Sequence, residues 1–390
     1  MTPLARFLWF YGALFAAFGV ASPFLPGLLQ QNGLSSGELG VVLAAGTGVR
    51  LLAGPFGSWL ADRTGRGPLV LAGFTAASAV VALGYGPARG MALLLAISVA
   101  HASVLAPLTP VADALALGSA ERGAFRYGWV RGAGSAAFIA AALLSGQLVD
   151  GLGLGVIVWL NAALLAGAAG LAWMLPNRVA GAREAGTRAK AWELLRVPMF
   201  GRLMIVAALI GGSHALHDGF EVIRWRSAGL SAAESSLLWA LSVAAEMVVF
   251  VLIGPPLLAM LGPSRAMLLA AFAGVVRWST AAMTARFPAM ALVEPLHGLT
   301  FALLHLACMD VIGKVVPATL AATAQAVYAT LAMGAAAAAI TLASGPLYDW
   351  LGAGAFWAMA GLCTVALPVA AGLRTAPDTR LKEDEASNSP

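Results

Sequence analysis

Twelve apolar segments, each long enough to cross a bilayer, divide this chain into six plus six. They lie near 7–29, 37–60, 68–86, 91–115, 128–148, 153–175, 200–222, 235–258, 264–284, 288–313, 321–345 and 350–373. A spanning helix needs about 20 predominantly apolar residues. Lipid offers the backbone no hydrogen-bond partners, and a helix satisfies its own within one segment. Charged side chains make up only 11% of the 390 residues, against roughly 25% in a soluble domain, and the mean hydropathy is +0.85. The expected fold is therefore an all-α membrane protein of twelve transmembrane helices in two pseudo-symmetric six-helix bundles. The bundles are expected at 1–175 and 200–373, with a cytoplasmic linker at 176–199 and a cytoplasmic tail at 374–390.

The first apolar stretch is too long for the core of a cleavable signal and lacks a small-residue cleavage site. The two cysteines, Cys308 and Cys363, sit in apolar runs and suggest neither a disulfide framework nor a metal site. The formal charge of +5 could suggest nucleic acid, but its distribution says otherwise. If the linker carrying Arg178, Arg183, Arg188, Lys190 and Arg196 is cytoplasmic, 17 of the 23 Lys and Arg residues fall on the inner side. Arg89, Arg224, Arg226 and Arg286 fall outside, and Arg50 and Arg277 lie within helices. The positive-inside rule then places both termini in the cytoplasm. A bacterial-type inner membrane and a lipid partner are implied, and nucleic acid is not.

An internal repeat supports the division. Ser145-Gly146-Gln147-Leu148-Val149-Asp150-Gly151-Leu152-Gly153 closes the fifth segment, and Ser344-Gly345-Pro346-Leu347-Tyr348-Asp349-Trp350-Leu351-Gly352 closes the eleventh. Six of the nine positions are identical. Duplicated halves are how many transporters build one central site at the repeat interface.

The loop after the second segment reads Asp62-Arg63-Thr64-Gly65-Arg66. Gly65 permits a tight turn, Arg63 and Arg66 stay at the interface, and Asp62 at a helix end can meet a facing helix N-terminus. Such a contact would hold one conformation and release in another. This element resembles the G-x-x-x-D-R-x-G-R loop of the major facilitator superfamily, with Ser58 where glycine is usual.

Ionisable residues inside the segments are the candidate site. A charge at mid-bilayer costs about 2.5–3.5 kcal/mol on insertion scales, so each needs a partner or a task. His214, His217, Asp218 and Glu221 follow i, i+3, i+4, i+7 spacing on one helical face. Glu294, His297, Phe301 and His305 form a second stripe, while Glu246 and Arg277 each stand alone in an apolar run. The first half contributes Arg50, His101, Asp113 and Arg131. Facing stripes of this kind line an aqueous cavity. A structural ion pair between Glu246 and Arg277, hydrogen bonding of His101 and His305 between helices, and plain packing at Phe138 are the competing readings.

Over nearly its whole length the chain resembles the 3-phenylpropionate permease family, relatives of the lactose–proton symporters. The resemblance rests on stretches such as Tyr127-Gly128 with Arg131, Leu238-Trp239 with Ala245-Glu246, Gly274-Val275-Val276-Arg277-Trp278, Leu296-His297 and Gln325-Ala326-Val327-Tyr328. It implies proton-coupled uptake by alternating access, with no cofactor beyond the proton gradient and a monomer as the working unit. Through the lactose relatives it implies substrate binding by Asp113, Arg131 and Phe138, with Arg50 matching an arginine of the phenylpropionate family. Glu246, Arg277 and His297 match the coupling residues, Glu294 is a further proton-carrier candidate, and Asp218 with Glu221 resembles the paired acids of the seventh helix and is expected to serve gating and conformational change. The pattern departs at Thr300 and Thr330, where those relatives carry a carboxylate and a lysine. An aromatic carboxylate is the expected solute. A neutral sugar or nucleoside is the alternative, and a non-transporting membrane sensor a distant one. The chain carries no metal cluster, phosphate loop or nucleophile elbow, so an enzyme is not expected.

Overall fold

The computed structural model describes residues 1–177, 194, 197–317 and 320–373, and these are helical with no strand among them. Residues 178–193 and 195–196 of the expected linker, with all five of its basic residues, and the tail 374–390 lie outside the described residues. Among the described residues, nine helices are long and apolar enough to span. Two of them, Ala232–Met283 and Thr323–Ala371, are double length. Left-handed glycines at Gly262 (φ 73°) and Gly352 (φ 54°) break each in two. With the shorter apolar helix Gly67–Leu83, twelve spans result.

We number them α1 Pro3–Ala21, α2 Ser36–Thr64, α3 Gly67–Leu83, α4 Met91–Ala120, α5 Tyr127–Leu152 and α6 Val156–Trp173 in the first half. The second half has α7 Pro198–Ser227, α8 232–261, α9 263–283, α10 Phe287–Val315, α11 321–351 and α12 Phe356–Ala371. The first expected span, 7–29, is interrupted: α1 ends at Ala21 and a short helix, Leu25–Gln31, follows, with Pro26 inside its first turn. The α7 stripe is also modified, because His217–Glu221 is a π-helical turn. Similar turns interrupt α8 at Val249–Ile253, α10 at Gly298–Leu303 and α11 at Tyr328–Ala335. Such turns often mark functional positions.

The apolar core shows how the halves meet. One buried cluster (Phe7, Leu71, Leu115, Leu165) belongs wholly to the first half. Another (Phe200, Met267, Leu304, Tyr328) belongs wholly to the second half. Both lie toward the end that the charge distribution marks as inner. Toward the opposite end a third cluster draws on both halves, joining Phe24, Leu29 and Tyr85 to Phe220, Trp225, Trp278 and Phe356. The bundles are therefore packed together at one end and carry separate cores at the other.

The internal repeat forms the joint at the packed end. Asp150 on α5 accepts hydrogen bonds from the backbone N–H groups of Ala232 (2.7 Å) and Ala233 (2.9 Å) at the start of α8, and from Arg226 at 3.1 Å. Asp349 on α11 accepts from the N–H of Gly37 at 2.8 Å, at the start of α2. Each receiving helix carries its own capping box, Ser35 with Glu38 and Ser231 with Glu234. The Asp therefore takes amides the box leaves free and adds a negative charge at the positive end of the helix dipole. Glycine is required beside each Asp. A Cβ on Gly146 would lie 2.7 Å from the carbonyl oxygen of Ala232, and one on Gly345 would lie 2.5 Å from that of Ser36. At the end opposite that joint Asp62, Arg63 and Arg66 are exposed, and the Asp62 side chain has no hydrogen bond or ion pair among the described residues. Gly65 takes the left-handed conformation (φ 61°) expected of the turn.

Each cross-half Asp cap resembles an N-cap, worth about 1 kcal/mol. Asp150→Asn and Asp349→Asn should each raise exposure of the packed end several-fold, and the double variant more. Labelling of Val42→Cys by an impermeant maleimide from outside reads this directly. The native cysteines are buried, so background labelling is low. Unchanged labelling in the double variant would remove this role for the repeat.

Candidate transport site

A cavity of about 800 Å³ lies between the halves. Apolar and aromatic side chains from both halves border it, including Phe18, Leu43, Phe138, Trp239 and Phe301. Two charged residues from opposite halves also border it, Arg50 of α2 and Asp218 of α7. Arg50 is exposed and makes no hydrogen bond or ion pair among the described residues. Beside it stand the ring of His101, 4% exposed, and the Tyr85 hydroxyl, which is 3.3 Å from Ser98 Oγ. Nε2 of His101 is buried without a partner. An uncompensated guanidinium facing a cavity with aromatic walls is a ready site for a carboxylate, which it can hold through two parallel hydrogen bonds.

The other expected binding pair behaves differently. Arg131 and Asp113 stand 4.0 Å apart. Asp113 accepts a hydrogen bond from the Tyr11 hydroxyl, and the Arg131 guanidinium lies over the Phe15 ring at 4.9 Å. Neither residue borders the cavity that holds Arg50. The pair stands outside the cavity beside its α1 neighbours, but at that distance its members share no hydrogen bond, and Nη1 of Arg131 is buried without a partner among the described residues. Nothing in the α1 sequence distinguishes Tyr11 from the surrounding aromatic residues, so this placement is visible only in three dimensions. Phe138 does border the cavity.

Six ionisable residues of the second half form one connected chain. Arg277, fully buried, donates to Glu294 at 2.6 Å and to Nδ1 of His297 at 3.1 Å. Arginine can only donate, so Nδ1 of His297 accepts and its Nε2 carries the proton. That Nε2 lies 3.3 Å from Glu246. On the other side Glu294 meets Nε2 of His217 at 3.3 Å, and Nδ1 of His217 meets Asp218 at 3.0 Å. Trp239 stacks on the His217 ring, with centroids 5.0 Å apart and planes 12° apart. The weighed Glu246–Arg277 ion pair does not form: α10 places Glu294 on Arg277, and His297 stands between Arg277 and Glu246. The chain runs Glu246, His297, Arg277, Glu294, His217, Asp218. Glu246 at one end is partly exposed (26%), and Asp218 at the other is open to the cavity (63%).

Glu221 does not join this chain. It is fully buried, pairs with Arg224 at 3.4 Å, and leaves Oε2 without a partner. Arg224 in turn lies over the Phe356 ring at 5.4 Å. His305 contacts the Tyr328 hydroxyl at 3.4 Å, away from this centre.

Comparison with known proteins agrees with this architecture. The chain is 32% identical over 364 residues to a probable 3-phenylpropionic acid transporter of Escherichia coli (strain K12), covering 92% of this chain and 94% of the relative. It is 23% identical over 360 residues to the uncharacterized transporter YwbF of Bacillus subtilis (strain 168), covering 90% and 89%. Among solved structures, the nucleoside transporter NupG superposes with a TM-score of 0.85 at 15% identity, over 96% of this chain and 100% of that one. A peptide transporter of the POT family superposes at 0.71 with 12% identity, over 100% and 97%. At such identities these likenesses speak for the fold. The MFS_1 like family matches across residues 2–359, and the chain belongs to that family of multi-pass membrane transporters, within the major facilitator superfamily and apart from enzymes.

Proposed function

We propose that this transporter imports an aromatic carboxylate together with protons, by alternating access, across a bacterial-type inner membrane with both termini inside. The observation that carries the substrate reading is Arg50, an unpaired guanidinium in a cavity walled by Phe18, Phe138 and Phe301. The E. coli relative is named for such an acid. A neutral sugar or nucleoside would leave that cation without a counter-charge, while the Asp113–Arg131 pair that would favour it is engaged with Tyr11. Positive-inside charge supports the orientation. The working unit is taken as a monomer holding one site between its bundles, its partners being lipid, the solute and protons, with no cofactor.

Glu246 is our choice of proton carrier. Glu294 is held by both Arg277 and His217, and protonating it would break two charge-assisted contacts. Glu246 contacts only His297 in this chain, so protonation there breaks one. His297 relays between Glu246 and Arg277. Rocking of the halves would release the Asp150 and Asp349 caps while Asp62 engages a helix end at the opposite face. The membrane potential adds about 2.3 kcal/mol per charge per 100 mV.

The test is uptake of labelled 3-phenylpropionate into proteoliposomes under an inward pH gradient. Wild type should accumulate the acid. Glu246→Gln should abolish accumulation driven by the gradient while preserving exchange between internal and external solute, because exchange needs no net proton movement. Accumulation by the Gln variant would exclude Glu246 as the carrier. No uptake by wild type, with uptake from a sugar or nucleoside panel, would exclude the carboxylate substrate.

A further inference from the structure

The cavity carries a second polar pole that a simple phenylalkanoate leaves unused. Asp218 lies on the wall opposite Arg50. Its Oδ1 rests on His217, yet the side chain is 63% exposed, and that exposure is to the cavity. A carboxylate has about four acceptor sites, and one imidazole contact leaves most of them open. One helical turn earlier on α7, His214 borders the same cavity. It is 5% exposed, and neither of its ring nitrogens has a hydrogen-bond partner. A buried polar group in that state is costly, and the cavity is where a partner can enter. His214 is held edge-on by Trp278 and His297, with ring centroids 5.4 and 4.9 Å away.

The relative height of the poles follows from helix geometry. Gly219 packs on Leu43, where an added Cβ would come within 3.0 Å of Cδ1. Position 43 of α2 is therefore level with the Asp218 turn of α7. Arg50 lies seven residues further along α2, about 10 Å at 1.5 Å per residue. Phe138 and Phe301, from opposite halves, supply apolar wall to the same cavity. A para-hydroxylated arylpropionate spans roughly 9 Å between its end oxygens, and the hydrogen bonds of about 2.8 Å at each end are within the length of the Arg50 side chain.

We propose that Asp218, with His214, forms a subsite for a hydrogen-bond donor at the end of the solute remote from its carboxylate, so that the preferred substrate is a ring-hydroxylated aryl acid. The hydroxyl donates to Asp218 and accepts from a ring N–H of His214. This deepens the carboxylate reading and rests on it. It gives Asp218 a role in selectivity beyond the conformational one that its position on the seventh helix suggested.

The test compares dissociation constants of 3-phenylpropionate and 3-(4-hydroxyphenyl)propionate for purified full-length wild type, Asp218→Ala, Asp218→Asn and Arg50→Ala. Wild type should bind the hydroxylated acid about ten-fold more tightly, the size of one hydrogen bond to a charged group. Asp218→Ala should bring the ratio close to one. Asp218→Asn, which keeps an acceptor, should fall between. The ratio separates selectivity from structure, since a variant that merely disturbs His217 weakens both acids alike. Equal affinities in wild type, or a ratio that survives in Asp218→Ala, would overturn the subsite while leaving the carboxylate reading in place. Undiminished binding of both acids by Arg50→Ala would instead overturn Arg50 as the carboxylate anchor, and the Asp218 ratio would still be read from the remaining variants. Binding of neither acid by wild type would overturn both.

Discussion

Arg50→Ala should raise the dissociation constant for 3-phenylpropionate at least 100-fold, with Arg50→Lys falling between it and wild type. Each hydrogen bond to a charged group contributes about 1.5–3 kcal/mol, and a planar guanidinium can make two to one carboxylate. Losing both corresponds to roughly two or more decades at 1.4 kcal/mol per decade. Lysine keeps the charge but lacks the fork, so a loss of about ten-fold is expected. Folding should survive either change, because Arg50 makes no hydrogen bond or ion pair among the described residues. Thermal unfolding of the purified variants checks that point, and equilibrium binding checks the main one. An unchanged dissociation constant in Arg50→Ala would move the carboxylate anchor elsewhere, with Arg131 next in line.

Arg277→Ala should be the most destabilising single substitution at this site. Both Arg277 and Glu294 are almost wholly excluded from solvent. Removing one partner of a buried pair strands the other charge, which typically costs 3–5 kcal/mol. His297 also loses the donor to its Nδ1. The double variant Arg277→Ala/Glu294→Ala should recover a substantial part of that loss, because no charge is then left unpaired. Transport should remain absent in both, since the relay is cut. Thermal stability in detergent and proteoliposome uptake, measured together, separate the two effects. A double variant no more stable than Arg277→Ala would show that the pair contributes through packing against Trp278, over which the guanidinium lies at 4.5 Å.

The division between what could be read directly and what could not follows the range of the interactions. Spanning helices are local: hydropathy over about 20 residues and the glycines at 262 and 352 specify where each begins and ends. Twelve spans and their grouping were therefore legible from the residues alone. Ionisable residues in apolar runs were legible as a site for the same reason, since lipid makes each of them expensive. Their partners were not legible, because partner choice depends on how helices from distant parts of the chain are rotated against each other. Glu246 and Arg277 looked like a pair, yet the α10 backbone, tightened at Glu294–Leu296 and loosened at Gly298–Leu303, sets Glu294 on Arg277 and His297 between.

The repeat shows the same limit. Ser145–Gly153 and Ser344–Gly352 are recognisable as duplicates, but their task is not. Asp150 caps a helix starting 82 residues later, and Asp349 lends its charge to the first turn of another, at Gly37, 312 residues earlier. The matching capping boxes at Ser35 and Ser231 carry no signal of this joint, because S-x-x-E is an ordinary helix start. Only the assembled halves reveal that each box leaves amides free for an Asp of the other half. Arg50 and Asp113–Arg131 were equal candidates in the sequence, each a plausible anchor by residue type. Tertiary structure separated them, because Arg50 borders the cavity and has no side-chain partner among the described residues, while Asp113 and Arg131 lie outside it against Tyr11 and Phe15 of α1. Sequence alone determined that this chain is a twelve-span, two-bundle membrane protein with charges in its interior, since those properties depend on residues close together along the chain. Which charges are satisfied and which still face the cavity was decided by helix rotation and packing.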